Sequence, residues 1–306
     1  MPRYLILLAL LAPAAATADT IEVGGAPRTY SAQLPPKASR VPLVLVLHGN
    51  TQQGIDMRER TGWVDVAKRE GFAVVFPDGL NRAWADLRGE EERAGVTPPK
   101  GTEDTAFLMA LARRYVDAGI ADPKRIYVTG VSNGGAMAMT LACEHPETFA
   151  AAGIVVMNLT QAMRPACRPS QPIPILFMNG TADPLIPYRG GQGTSRFAVP
   201  GFLSTPDTVR FWRKVDGCAE PDASATELPD ATREDDSRVT RIESTCPPGM
   251  DVLLYRVDGG GHRMPGTKSD ARVKSFVKLL LGPQNRDIDG AETIWAFFRR
   301  FARDRS

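Results

Sequence analysis

Ile126-Tyr127-Val128-Thr129-Gly130-Val131-Ser132-Asn133-Gly134-Gly135 is the stretch whose reading decides the fold. Ile126 to Thr129 is a short continuous run of apolar and β-branched residues, the pattern of a strand buried on both faces. A G-x-S-x-G sequence follows at once, and from Gly134 to Cys143 the residues carry helical spacing. A chain that turns from strand to helix within so few residues leaves room only for small flanking side chains, which Gly130 and Gly134 supply. The serine between them is then held out above the sheet, with a helix N-terminus behind it. The five-residue pattern alone also fits an ordinary tight turn. Its place between a buried strand and a helix makes Ser132 a candidate nucleophile.

Outward from this turn, β-rich apolar runs alternate with amphipathic stretches. Strands are expected at Leu43 to Leu47, Ala73 to Phe76, Ile126 to Thr129, Ala151 to Val156, Ile173 to Met178 and Val252 to Val257, with Thr29 to Leu34 as an edge strand. Helices are expected at Met57 to Arg69, Asp104 to Ala118, Gly134 to Cys143, Asp207 to Val215, Ala271 to Leu281 and Ala291 to Phe301. That order implies a mostly parallel central sheet with helices on both faces, an α/β fold. The stretch from Cys218 to Cys246 is polar and acidic and reads as an excursion outside the core.

The first residues read as a leader. Arg3 is the positive start, Leu5 to Ala12 is apolar but too short to cross a bilayer, and Ala14-Ala15-Ala16-Thr17-Ala18 offers small-residue cleavage sites, with the cut expected after Ala18. A buried helix or an anchor is the alternative, disfavoured because Asp19 and Thr20 follow directly. Residues 19–306 suit one large α/β domain, since such domains reach about 250 residues. A net charge of +2, from 37 basic and 35 acidic side chains spread along the chain, points to neither nucleic acid nor an anionic surface. The expectation is a secreted monomer, extracellular or periplasmic, with no membrane contact after the leader is removed and a neutral small molecule or polymer as its partner. Four cysteines in an exported chain suggest two disulfides, for which three pairings exist. Chain proximity favours Cys143 with Cys167 and Cys218 with Cys246. A metal site is disfavoured, because no C-x-x-C element or histidine cluster is present.

A nucleophilic serine needs a base, and there are three histidines. His262 follows Gly259-Gly260-Gly261 just beyond a strand, at the sheet edge where the serine would also lie. His145 sits at a helix end before Pro146 and reads as structural. His48 ends an early strand but precedes the serine in sequence and is the less suitable base. The carboxylate that orients the base is sought between the two, and Asp183, just past the strand Ile173 to Met178, meets that need, although an Asx turn before Pro184 would also explain it. Asp207 and Asp216 read as a helix cap and a helix end. The expected oxyanion hole is the backbone NH of Asn133, after the nucleophile, and the NH of Asn50, in the loop His48-Gly49-Asn50.

Together these residues resemble the secreted α/β-hydrolase esterases that include feruloyl esterases and polyhydroxybutyrate depolymerases. The likeness spans nearly the whole mature chain. It is carried by Leu47-His48-Gly49-Asn50, Glu103-Asp104-Thr105-Ala106-Phe107, Val128 to Gly135, Asn179-Gly180-Thr181-Ala182-Asp183, Gly259-Gly260-Gly261-His262 and Ile294-Trp295-Ala296-Phe297-Phe298. The resemblance places the triad on Ser132, Asp183 and His262 and implies that Cys218 pairs with Cys246. It also implies that Trp84 borders the substrate cleft, where an aromatic surface suits a sugar ring or a phenolic acid; packing on the core is the other reading. Met264 stands where the family often has an aromatic residue in the substrate wall, and Glu103-Asp104 replaces paired aspartates.

The implied activity is ester hydrolysis by a serine nucleophile, with no cofactor and no metal. Release of feruloyl or related acyl groups from plant polysaccharide such as xylan is the leading expectation, and depolymerisation of hydroxybutyrate oligomers follows it. A peptidase would share the triad, and a silent fold used for binding would be the reading from another class.

Overall fold

The alternating apolar runs pair into a ten-stranded sheet. The computed structural model describes residues 18–89, 96–192, 201–219, 224–267 and 280–303. The expected leader up to residue 17, and the expected helix Ala271 to Leu281 apart from its last two residues, lie outside the described residues. In chain order the elements are β1 (Asp19–Val23), β2 (Ala26–Gln33), β3 (Val41–Leu47), α1 (Gly54–Arg60), α2 (Trp63–Glu70), β4 (Ala73–Pro77), α3 (Asp104–Asp117), β5 (Ala121–Val131), α4 (Asn133–Glu144), β6 (Ala151–Val155), α5 (Met163–Ala166), β7 (Ile175–Gly180), α6 (Thr205–Val215), β8 (Ser224–Glu227), β9 (Arg238–Glu243), β10 (Val252–Asp258) and α7 (Gly290–Phe298).

The strands lie in the order β1-β2-β4-β3-β5-β6-β7-β10-β9-β8. The pairs from β4 through β10 are parallel, and the pairs outside them at both margins are antiparallel. Central strands such as β3 and β6 are buried on both faces, which explains their unbroken hydrophobic runs. One face is covered by α3, α4 and α6 through Phe107, Leu111, Met137, Leu141 and Trp212. The other is covered by α1, α2 and α7 through Met57, Trp63, Ile294, Trp295 and Phe298. There Trp295 stacks on Phe72 at 4.0 Å between ring centroids, and Phe298 on Tyr127 at 4.9 Å.

Three sequence expectations change. The helix expected over Met57 to Arg69 is two helices, broken at Gly62, whose φ of +79° a side-chain-bearing residue rarely adopts. The stretch between Cys218 and Cys246 contributes β8 and β9 to the sheet rather than standing outside it; β9 buries Val239 and Thr240 against β10, a half-buried pattern masked by its arginines. Thr29 to Leu34, expected as an edge strand, falls in β2 apart from its last residue, and β2 is second in the sheet because β1 pairs outside it. Disulfides join Cys143 at the end of α4 to Cys167, and Cys218 after α6 to Cys246 after β9. No helix among the described residues is long and apolar enough to cross a membrane.

Candidate active site

Because β3, β5, β7 and β10 run parallel, their carboxyl ends bring His48-Gly49-Asn50, Ser132, Asp183 and His262 to one edge of the sheet. Ser132 joins β5 to α4 at φ +56° and ψ −119°, a backbone state that costs a non-glycine residue about 1–3 kcal/mol. Close packing enforces it. A Cβ on Gly130 would lie 2.2 Å from the Gly134 carbonyl oxygen, and one on Gly134 would lie 2.4 Å from that of Leu47. The Ser132 NH donates to Val155 O at 2.9 Å and its carbonyl accepts from Ala136 NH at 2.9 Å. Ser132 occupies the N-cap position of α4, yet its side chain makes no capping bond.

Asp183 and His262 are joined directly, with Nδ1 of the imidazole 2.7 Å from Oδ2 of the carboxylate. The other carboxylate oxygen accepts the NH groups of Leu185 at 2.8 Å and Ile186 at 2.9 Å. The Asx turn and the histidine contact therefore coexist, one on each oxygen, and the turn aims the carboxylate. A carboxylate at Nδ1 places the imidazole proton there and leaves Nε2 with its lone pair. The loop that carries His262 is tied down by its backbone, with Gly261 NH donating to Pro283 O at 2.8 Å and His262 NH to Leu281 O at 2.5 Å. Both side chains are buried, whereas Ser132 is half-buried. The remaining histidine expectation also has a place: His145 closes α4 and contacts Glu147 at 3.1 Å.

Neither of the two expected oxyanion donors, the NH groups of Asn133 and Asn50, has an acceptor among the described residues. Asn133 is the first residue of α4, so its NH has no partner within the helix. In the facing loop, Gly49 NH donates to Gln52 Oε1 at 3.0 Å, Thr51 NH to Arg82 O at 2.9 Å and Gln52 NH to Gly49 O at 3.2 Å. Asn50 NH has no acceptor among the described residues. The Asn50 side chain instead clasps Val96, donating to its carbonyl at 2.5 Å and accepting its NH at 3.2 Å. Asn133 is clasped in the same way: Oδ1 accepts Trp84 NH at 2.8 Å, and Nδ2 donates to Asp86 Oδ2 at 2.7 Å.

Trp84 and Met264, expected at a substrate wall, are both buried. Trp84 is fully buried, its indole NH donating 2.8 Å to the His48 carbonyl and its ring 4.8 Å from the imidazole, so it packs beneath the cleft. Met264 is 4% exposed and belongs to the core under α7, against Gly290. Residues without a sequence signal turn out to support the site. Asp86, buried and paired to Arg88 at 2.6 Å, holds Asn133. Asp104 binds Arg28 at 2.5 Å with one oxygen and Ala85 NH at 2.7 Å with the other, anchoring the Trp84–Asp86 loop. Only the Glu103-Asp104 motif hinted at the second.

The chain has named relatives among known proteins. The family model described as "Esterase PHB depolymerase" matches residues 28–166. A protein of Nocardia uniformis subsp. tsuyamanensis named "Putative esterase NocK" is 30% identical over 92% of this chain and 82% of its own length. "Feruloyl esterase B" of Piromyces equi is 27% identical over 64% of this chain, and "Poly(3-hydroxybutyrate) depolymerase" of Ralstonia pickettii 32% identical over 37%. The matched regions span only 34% and 24% of those two proteins. Among solved structures, "Acetyl xylan esterase from Aspergillus awamori" superposes with a TM-score of 0.54 at 14% identity, covering 81% of this chain and 92% of that one, and so shares the α/β-hydrolase fold. Fold and kinship together define an ester hydrolase. The chain belongs to the Esterase PHB depolymerase family.

Proposed function

We propose that the chain is an exported serine carboxylesterase whose triad is Ser132, Asp183 and His262. The observation that carries this reading is the 2.7 Å Asp183–His262 bond on the sheet edge where Ser132 occupies a strained turn with an uncommitted hydroxyl. Ser132 Oγ attacks the ester carbonyl while His262 Nε2 takes its proton. The NH groups of Asn50 and Asn133 stabilise the tetrahedral oxyanion, and the new imidazolium, held by Asp183, protonates the departing alcohol. Water, deprotonated by His262, then attacks the acyl-enzyme and releases the acid and Ser132. Hydrolysis of a short p-nitrophenyl ester by wild type and by Ser132→Ala tests this; equal rates would end it.

The substrate we infer is a feruloyl or related acyl ester of plant polysaccharide. Relatives named feruloyl esterase support that reading. Trp84 and Met264 contribute nothing to it, since both are buried. Hydroxybutyrate oligomers are the second reading, favoured by the family description and by the Ralstonia relative. Turnover of methyl ferulate against that of hydroxybutyrate oligomers separates the two. Export follows from the leader-like first residues and suits two disulfides. The N-terminal sequence of protein collected outside the cytoplasm tests it, with Asp19 expected first.

A further inference from the structure

His48 is fully buried, and both of its ring nitrogens are engaged. Nε2 lies 2.9 Å from the Gly79 NH, which can only donate, so Nε2 carries no proton. Nδ1 lies 2.8 Å from the Gly49 carbonyl, which can only accept, so Nδ1 carries the proton and donates it there. The two contacts specify one neutral tautomer, and burial, which lowers the basicity of the ring, keeps it neutral.

The Gly49 carbonyl belongs to the same planar peptide unit as the Asn50 NH. In a trans peptide the C=O and N–H point in opposite directions, so fixing one fixes the other. We infer that His48 is a positioning residue for ester hydrolysis: with the Gln52 NH, which donates to the same oxygen at 3.2 Å, its Nδ1–H at 2.8 Å holds the Gly49 carbonyl and so aims the Asn50 NH into the oxyanion hole. Trp84 completes the support, since its indole NH holds the His48 carbonyl at 2.8 Å while its ring packs on the imidazole. This inference rests on the serine-esterase reading above and assigns a role to a histidine that is neither base nor ligand.

Two substitutions separate the ring's two contacts. His48→Asn keeps an amide donor near the position of Nδ1, and His48→Gln keeps an amide oxygen near the position of Nε2. Both lose one buried hydrogen bond and some volume, so both should melt below wild type by similar amounts. On a p-nitrophenyl ester, His48→Asn is expected to retain kcat within about fivefold. His48→Gln is expected to lose about 10²-fold in kcat with KM little changed, the size of effect seen when one oxyanion donor is removed. Inhibition by an alkyl boronic acid, whose serine adduct carries the tetrahedral oxygen, should weaken in parallel in His48→Gln and not in His48→Asn.

Equal losses in the two variants, or losses that follow only the fraction folded, would overturn the inference while leaving the esterase reading intact. A wild-type chain without esterase activity would overturn that reading and this inference with it. Nitrogen NMR of the histidine-labelled wild type gives a test that needs no variant. A protonated Nδ1 and bare Nε2 on His48 are expected across the stable pH range, and a proton on Nε2 would overturn the assignment.

Discussion

Gly134→Ala probes how far the turn at Ser132 depends on close backbone packing. A Cβ there would lie 2.4 Å from Leu47 O and 2.5 Å from His48 O, whereas ordinary contact begins at 3.4 Å. The neighbours are backbone atoms that no rotamer change can move, so α4 and the end of β3 must part by about 1 Å. Those two segments carry the two expected oxyanion donors, Asn133 and Asn50. A displacement of this size in a reacting geometry costs about 10²-fold in rate, or about 3 kcal/mol of transition-state stabilisation. The overpacking itself should cost about 1–3 kcal/mol of stability, a melting shift of about 2 to 12 °C. Gly71→Ala is the control. Gly71 has φ +76° and nothing within 4 Å of its missing Cβ, so alanine there meets about 1–2 kcal/mol of strain without displacing anything. Steady-state kinetics on a p-nitrophenyl ester and thermal melts of both variants give the comparison. The expected result is a loss of kcat confined to Gly134→Ala, with both variants destabilised. If Gly134→Ala keeps kcat/KM within about threefold, or if Gly71→Ala loses as much, the link between turn packing and catalysis is refuted.

Asp183→Asn should keep the turn to Leu185 and Ile186 but present an amide donor to His262, reversing its tautomer; kcat should fall by about 10⁴-fold with the fold intact, and unchanged kcat would exclude Asp183 from the triad. Trp84→Phe keeps a ring against His48 but loses the bond to its carbonyl, so stability should drop by about 1–2 kcal/mol and kcat should fall while KM for an aromatic ester stays constant. A selective rise in KM would restore Trp84 to the substrate wall. Asp216, at the end of α6, has its carboxyl pushed up to about 7, chiefly by burial and also by Asp251, against the bond from Ile173 NH. Its folded pKa lies above its unfolded one, so the folded chain binds more protons between about pH 4 and 7, and stability falls as pH rises through that window. Asp216→Asn retains the acceptor for Ile173 and removes the charge. Urea melts should show it ahead of wild type by only about 1–2 kcal/mol at pH 5 and by more at pH 8, at most about 4 kcal/mol; a variant weaker than wild type at pH 8 would contradict the assignment.

The residues at the turn were legible in sequence because the rule that governs them is local. A strand that becomes a helix within a few residues demands small neighbours, and Gly130 and Gly134 meet that demand whatever the rest of the chain does. The strands were legible because a strand buried on both faces needs an unbroken apolar run, and each chemical residue follows such a run directly. The parallel sheet then brings Asp183 and His262 together from 79 residues apart, a consequence of strand order rather than of any local signal.

What sequence could not decide was the direction in which a side chain points once loops pack on one another. An aromatic residue near a cleft suits a substrate wall or a core equally by composition. Trp84 is in the core because His48 O, after β3, and Asn133 Oδ1, at the start of α4, hold its two NH groups. Met264 lies under α7 because that helix packs across its loop. The supports of the site depend on partners equally distant in sequence: Asp86 lies 47 residues from Asn133, and Asp104 lies 76 from Arg28. The sequence by itself determined the parallel middle of the sheet, the turn and the three residues that the proposed chemistry needs, because each answers to its immediate neighbours. Tertiary packing decided what a local turn could not: the Gly49 carbonyl accepts the nearby Gln52 NH, but it is also held by a buried imidazole whose tautomer depends on Gly79, 31 residues away.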